Sequence, residues 1–316
     1  MEYNKAVHSM RTGDAIEGFY ILKGAYPKVA SNGKPFLNVT LSDKTGVIEG
    51  KVWDYSGPIG SADEGKVIKI RGTVGEFRGA PQVSIERIRL RDAADRVDLS
   101  ALVPVAPIDA EAALQQVRAA LASIDDDDYR AVALSLLARH EVRFADIPAA
   151  KSVHHSFLHG LLMHTGNMLQ IADFLAGLYA GTINRSLLLA GTFAHDLQKE
   201  TEFVFSELGL VTDYSVKGQL LGHLVMGAQE AAEVAAQLGV PEEKSVLLQH
   251  MVLSHHGEPE YGAAVRPACA EAELLSCIDT IDSRMEIYRE ALADVAPGSF
   301  SDRIFALDGR KVMRHN

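Results

Sequence analysis

The spacing of apolar positions changes once along this chain. From residue 14 to residue 90 they alternate. In "PFLNVTL" (35–41) Leu37, Val39 and Leu41 fall on one side and Phe36, Asn38 and Thr40 on the other, as in a strand with one buried face. "AIEGFYILKGAYPKV", "VIEGKVWD", "GKVIKIRGTVGEF" and "PQVSIERIRL" read as further strands, and "SDKTG" (42–46) and "RGAP" (78–81) as turn clusters. Beyond residue 108 the period becomes helical. "DAEAALQQVRAALASI" opens with an Asp in the capping position and Glu111 in the first turn, a good helix start. "DDDDYRAVALSLLARH" follows, its acidic run lying where a helix N-terminus favours negative charge. From 150 to 295 the pattern stays helical, broken at "AGTINR", "GLVTDYSVKG", "LGVPEE" and "HGEPEYGAAVRP".

These elements predict a multidomain α and β protein. Five short strands within about 80 residues suit a small antiparallel barrel, and the OB-fold is the usual solution at that size. The expected organisation is a five-stranded OB-fold β-barrel (1–97), a linker with two prolines and neither periodicity (98–108), connecting helices (109–150) and an all-α helical bundle (151–316).

The 316 residues carry a formal net charge of −11, which by itself argues against a nucleic-acid partner. The charge is unevenly divided, however. Residues 1–96 hold 15 Lys and Arg against 12 Asp and Glu, and the rest of the chain holds 16 against 30. A mildly basic part joined to a strongly acidic one suggests two tasks. No apolar run approaches the ~18 residues of a membrane span, and "MEYNKAVHSM" lacks the apolar stretch of a signal peptide. Cys269 and Cys277 form neither a CxxC pair nor a disulfide framework. The expectation is a cytoplasmic protein with no membrane partner.

Nine of the twelve histidines fall between residues 154 and 256. His164 shares a helix face with Leu161, Met168 and Ile171, so its imidazole lies on the buried side. It needs a partner there, because an unpaired buried polar group costs roughly 1–3 kcal/mol. A backbone carbonyl would satisfy one such histidine, but the placement recurs. His195 and Asp196 end an apolar helix in "GTFAHDLQKE", His223 lies in "LLGHLVMGA", His255 and His256 close "VLLQHMVLSHHG", and Asp279 interrupts "LLSCIDTID". The steps from 164 to 195, 223, 255 and 279 are 31, 28, 32 and 24 residues. Each is about one helical hairpin, so antiparallel helices would return the ligands to one end of a bundle. Asp282, three residues further on the same face, is the rival of Asp279. Convergence of this kind points to metal. With no cysteine in the set, Mn2+, Fe, Co or Zn fit the donors, as does Mg2+ with waters completing its shell. The candidate ligands exceed four, which suggests two divalent ions with Asp196 between them.

His164, the pair His195-Asp196 and Asp279 resemble the H…HD…D signature of HD-domain phosphohydrolases, and His223 with His255-His256 is similar to the expanded form that binds two metals. Lys199 falls at the Lys of the HDxGK stretch, with Gln198 where that motif usually has Gly. "HHSFLHGLLMHT", "LLGHL", "LSHHGEPEYGAAVRP", "AELLSCIDTID" and the domain order resemble one branch, the YhaM-type 3′→5′ exoribonucleases, in which an OB-fold precedes an HD domain. The likeness extends over nearly the whole chain. It implies a metal-dependent phosphodiesterase that releases nucleoside monophosphates from the 3′ end of single-stranded RNA, with DNA a further candidate substrate and Mn2+ the leading metal. It also implies His164, His195, Asp196 and Asp279 on one ion, and Asp196, His223 and His255 on the other, with His256 as an alternative or added ligand. Lys199 would then meet a phosphate oxygen, or else complement a helix end. Arg266 is a second phosphate candidate, with a surface arginine as the plainer reading. His154, His155 and His159 precede the first ligand, where they would line the substrate mouth or help with proton transfer, the plainer reading being histidines on the surface or behind the ligands.

In the N-terminal domain Phe36, Trp53 and Phe77 are interleaved with Lys51 and Arg78. OB-folds bind single strands by stacking bases on aromatics in a basic groove. The competing reading is that these rings fill the barrel, and either Val52 or Trp53 faces outward. An HD-domain nucleotide phosphatase or cyclic-dinucleotide phosphodiesterase is the alternative function. Apolar surface to spare on the helical domain would suit a homo-oligomer.

Overall fold

The computed structural model describes residues 2–151, 155–206 and 208–315. It divides into two compact units, residues 1–105 with 206–208, and residues 106–205 with 209–316. In the first, β1 (Glu2–Tyr3), β2 (Ala15–Val29), β3 (Pro35–Asp43), β4 (Gly46–Trp53), β5 (Val67–Phe77) and β6 (Ala80–Leu90) form one sheet closed on itself. Closure depends on β2. Its first half pairs with β5, from Ala15↔Thr73 to Ile21↔Val67, and its second half with β3, from Ile21↔Ser42 to Val29↔Pro35. β3 pairs with β4, β4 runs parallel to β6, and β6 returns to β5. This is the five-stranded barrel that the alternation predicts. The extra strand β1 lies parallel to β2, and two residues are too few to leave a period.

The alternation also predicts the correct faces. Leu37, Val39 and Leu41 are buried, and with Ile16, Leu22 and Val83 they fill the barrel. The β5–β6 turn is Arg78-Gly79, with φ of 54° and 84°. Two left-handed residues suit the twist of a tight hairpin, and Phe77 pairs with Ala80 across them.

Residues 98–108 differ from the expected linker. They contain a one-turn helix, α1 (Leu99–Leu102), capped by Asp98, whose Oδ1 accepts from the Ser100 amide at 3.0 Å. Leu102, Val103 and Ala106 are buried. One turn is too short for a helical period to register, and the two prolines hide it further.

The second unit contains α2 (Ala110–Ala122), α3 (Asp127–Asp146), α4 (Gly160–Leu178), α5 (Arg185–Ala194), α6 (Lys199–Glu202), α7 (Val216–Leu238), α8 (Glu242–Ser254) and α9 (Ala270–Leu292). Asp109 and Asp126 cap α2 and α3. Val117 of α2 and Leu136 of α3 share one core with Leu161, Leu188, Val252 and Ile278. The helices expected to connect two domains are therefore part of the helical one. Nor is this unit wholly α: β7 (Phe203–Phe205) and β8 (Val211–Tyr214) form a small hairpin before α7. All residues of α5 from Ser186 to Ala194 are buried, which accounts for a sequence that is apolar apart from Ser186 and Thr192. No helix among the described residues is long and apolar enough to cross a membrane.

Leu37 has no exposed surface, so Leu37→Ala is expected to destabilise the barrel by about 2–5 kcal/mol. Trp53 is the single tryptophan of the chain, and its fluorescence in a urea titration of the intact protein reports the barrel transition directly. An unchanged midpoint would contradict the packing described.

Candidate metal centre and nucleic-acid face

The buried helix α5 leads to a polar C-terminal end. There His195 and Asp196 are both buried. Four imidazoles direct Nε2 at the Asp196 carboxylate. His164 of α4 and His195 lie 3.7 and 3.3 Å from Oδ2, while His223 of α7 and His255, after α8, lie 3.3 and 3.7 Å from Oδ1. Asp279 of α9 places Oδ1 3.4 Å from His164 Nε2. His256 packs against His255 and His223, with ring centroids 4.4 and 5.3 Å apart.

The far nitrogen of each of the four is engaged. Nδ1 of His195 and of His255 lies 2.6 and 2.7 Å from the carbonyls of Thr192 and Val252. A carbonyl only accepts, so Nδ1 carries the hydrogen and Nε2 the lone pair. His223 Nδ1 meets Glu202 Oε2 at 2.9 Å. His164 Nδ1 meets Asp282 Oδ2 at 2.7 Å, and Asp282 also accepts from Asn167 and pairs with the buried His155. The two rival acids thereby separate. Asp279 faces the convergent Nε2 atoms, and Asp282 braces the opposite edge of His164, as carboxylates behind metal-bound histidines do.

The donor set fits a cation. Asp196 Oδ1, His223 Nε2, His255 Nε2 and His256 Nδ1 are buried without a hydrogen-bond partner among the described residues, and each such atom costs about 1–3 kcal/mol. Ligand atoms of His164, His195 and Asp196 lie within 4.8 Å of one another, as do those of His223, His255 and His256, and those of His195, His255 and Asp279. Burial works against ionisation of Asp196, but Lys199 and His195 prevail and hold its carboxyl well below the usual range. Burial pushes His255 well below an ordinary histidine, with His195 and His256 adding to the effect. An ionised carboxylate and a neutral imidazole are the states that a metal requires. Burial also opposes a charge on His164, yet its bonds to Asp279 and Asp282 raise it to about 9, so a metal held at Nε2 would have to displace a proton there. Lys199 Nζ sits 2.6 Å from Asp196 Oδ2; burial disfavours its charge, and Asp196 more than restores it.

Known proteins resemble both units. An OB-fold nucleic acid binding domain model matches residues 16–91, and an HD domain model matches residues 161–284. The 3′-5′ exoribonuclease YhaM of Halalkalibacterium halodurans is 39% identical over 97% of this chain and 95% of its own length. Its counterparts in a Geobacillus strain and in Shouchella clausii are 37% and 38% identical, each over 97% of this chain and over 94% and 95% of their own lengths. The chain belongs to the YhaM 3′-5′ exoribonuclease family.

This YhaM-family chain carries Gln198 where the HD motif usually has Gly. Its backbone is ordinary (φ −75°, ψ 3°), so no glycine is required there. The Gln198 amide donates to Glu230 Oε2 at 2.7 Å, and Glu230 and Glu200 flank the buried His140 at 2.8 and 2.9 Å. This network ties the turn carrying Asp196 and Lys199 to α3 and α7. Burial disfavours a charged His140, but the two carboxylates prevail and raise it to about 9. Two expected substrate contacts are engaged elsewhere. His159 Nδ1 lies 2.7 Å from the Ala145 carbonyl, and the exposed Arg266 pairs with Glu258 at 2.7 Å. Neither belongs to the ligand groups, and His154 lies outside the described residues.

On the barrel of this YhaM-family chain, the five residues expected to meet nucleic acid share one surface. Val52 faces inward and Trp53 is half exposed. The Phe36 and Trp53 rings lie 5.1 Å apart, and Lys51 Nζ is 5.6, 5.4 and 4.5 Å from the rings of Phe36, Trp53 and Phe77. The Arg78 guanidinium is 5.3 Å from the Phe77 ring. Trp53 also borders a cleft of about 650 Å³ lined by Tyr55, Lys69, Arg71, Arg87 and Arg89 among others. Strict alternation from Val83 and Ile85 would turn Arg87 and Arg89 inward. A bulge that inserts Glu86 opposite Arg71 and Gly72 reverses the phase and brings them out.

The His140 network makes a prediction about pH. A histidine raised from an ordinary 6.5 to about 9 stabilises the fold fully below pH 6.5, and that contribution is lost as pH rises through about 9. The stability difference between the wild type and His140→Gln, from thermal melts across this range, should be largest at the acid end and shrink towards pH 9. A constant difference would show that His140 is not charged in the fold.

Proposed function

We propose that this chain hydrolyses single-stranded RNA from its 3′ end with two divalent metal ions, Mn2+ first among the candidates. The observation that carries this reading is the way Asp196 divides the imidazoles, with Oδ2 towards His164 and His195 and Oδ1 towards His223 and His255. A carboxylate so placed suits a bridge. His164, His195 and Asp279 would complete one site, and His223, His255 and His256 the other. When bound, the ions supply Lewis-acid stabilisation of the phosphate and a nucleophile drawn from water.

The chain's own residues do the remainder. Asp196 stays ionised beneath the phosphate, and Lys199, held beside it, offers an ammonium to a phosphate oxygen. In the overall reaction water adds at phosphorus and the bond to the preceding O3′ breaks. The products are a nucleoside 5′-monophosphate and a strand shortened by one residue that ends in a 3′ hydroxyl. On the barrel, Phe36, Trp53 and Phe77 supply stacking faces and Lys51 and Arg78 supply positive charge, which suits a single strand of any sequence.

A time course on 3′- and 5′-labelled single-stranded RNA, with Mn2+, Mg2+ or chelator, tests polarity and metal dependence together. Label should leave the 3′ end at once as mononucleotide, 5′-labelled strands should shorten stepwise, and chelator should stop both. Asp196→Ala should abolish hydrolysis with an unchanged circular dichroism spectrum. Hydrolysis of mononucleotides or cyclic dinucleotides but not of RNA would replace this reading with that of an HD-domain phosphatase or cyclic-dinucleotide phosphodiesterase. Trp53→Ala or Phe77→Ala should each weaken RNA binding by about 5- to 150-fold, the equivalent of one lost base stack, as measured by fluorescence anisotropy of a labelled oligonucleotide.

A further inference from the structure

The helix α7 is two helices joined at Gly222. There the backbone takes φ 70° and ψ 162°, a region open essentially to glycine alone, and the helix restarts at His223. A restarted helix has amides with no carbonyl one turn earlier. Glu202, the last residue of α6, meets this need at His223. Its Oε1 accepts from the His223 backbone amide at 3.1 Å, and its Oε2 lies 2.9 Å from Nδ1 of the same residue's ring. Gly218 lets the two segments approach, since a Cβ there would stand 2.2 Å from the Glu202 carbonyl oxygen. One buried carboxylate thus holds both the backbone and the ring of a single histidine.

This double contact has a chemical consequence. An ionised carboxylate only accepts hydrogen bonds, so with a neutral ring the hydrogen must be on Nδ1. The lone pair is then on Nε2, which points at Asp196 Oδ1 from 3.3 Å. We infer that Glu202 is a positioning residue that sets the tautomer and direction of His223 and so equips its Nε2 as a metal ligand. The inference rests on the two-ion reading above.

Glu202→Gln tests it with nearly the same shape. The amide oxygen still accepts from the His223 backbone, but the amide nitrogen now donates to Nδ1 and favours the tautomer with hydrogen on Nε2, which cannot bind metal. Histidine ring 15N spectra of metal-free protein, at alkaline pH where the ring is neutral, should show His223 with hydrogen on Nδ1 in the wild type and on Nε2 in the variant. In Mn2+ titrations by calorimetry, one of the two binding events should weaken by about 10- to 100-fold, with the thermal midpoint in chelator unchanged. His223→Ala is measured in parallel. If His223→Ala loses that binding event while Glu202→Gln keeps its affinity and tautomer, the role of Glu202 is overturned. If neither variant changes Mn2+ binding, His223 is not a ligand, and the two-ion reading and this inference both fail. Should Glu202→Gln not fold, the wild-type spectrum decides, and hydrogen on Nε2 of His223 would overturn the inference.

Discussion

A carboxylate removed from water has to be met by positive charge or by donors, or it takes up a proton. Asp196 is such a group, and much of the helical unit is arranged around it. Lys199 covers one oxygen, and imidazoles from α4, from α7 and from the ends of α5 and α8 surround the two. Because each ring arrives on a different element, the helices can satisfy the centre only if their crossing points are fixed to within fractions of an ångström. The apolar core formed by Leu161, Leu188, Val252 and Ile278 supplies that constraint. The polar centre and the apolar core therefore specify one another. Several donor atoms remain without partners even so, a pattern suited to binding rather than to stability alone.

The four histidines solve a common problem in two ways, according to their position on a helix. His195 and His255 follow the last turns of α5 and α8, where carbonyls lack the amides of a next turn. Each ring takes one of these, three residues back. His164 lies inside α4 and His223 at the start of a helical segment. Both are braced by carboxylates from other elements, Asp282 and Glu202. Helix ends and distant acids thus reach the same result, with Nδ1 occupied and Nε2 presented.

Much of this was legible in the residues because it is periodic or local. Alternation placed Leu37, Val39 and Leu41 in the barrel, and helical spacing placed His164 on a buried face. The His-Asp pair and its hairpin spacings carried the centre. The features that escaped share a physical cause. Glu202 and His140 depend on partners far along the chain, His223 and Glu230, and a lone Glu or His in an amphipathic stretch reads as surface. Asp279 and Asp282 fall on one helix face, so spacing alone could not assign them to opposite edges of the same imidazole. Arg87 and Arg89 were hidden by a single inserted residue, which inverts an alternation without changing composition. The turn at 99–102 and the β7–β8 hairpin are shorter than any period that could announce them.

The long strand β2 has a consequence for how the barrel comes into being. Its second half finds β3 across a short loop, whereas its first half waits for β5, with Ala15 paired to Thr73. Local pairings form quickly and distant ones must first close a long loop. A chain emerging from the ribosome can therefore build a meander of β2, β3 and β4 early, while the segment from Ala15 to Ile21 still exposes unpaired backbone beside Ile16, Phe19 and Tyr20. An edge of that kind is a template for another chain. Between synthesis of β2 and arrival of β5 that edge has no partner strand, and ring closure ends the exposure.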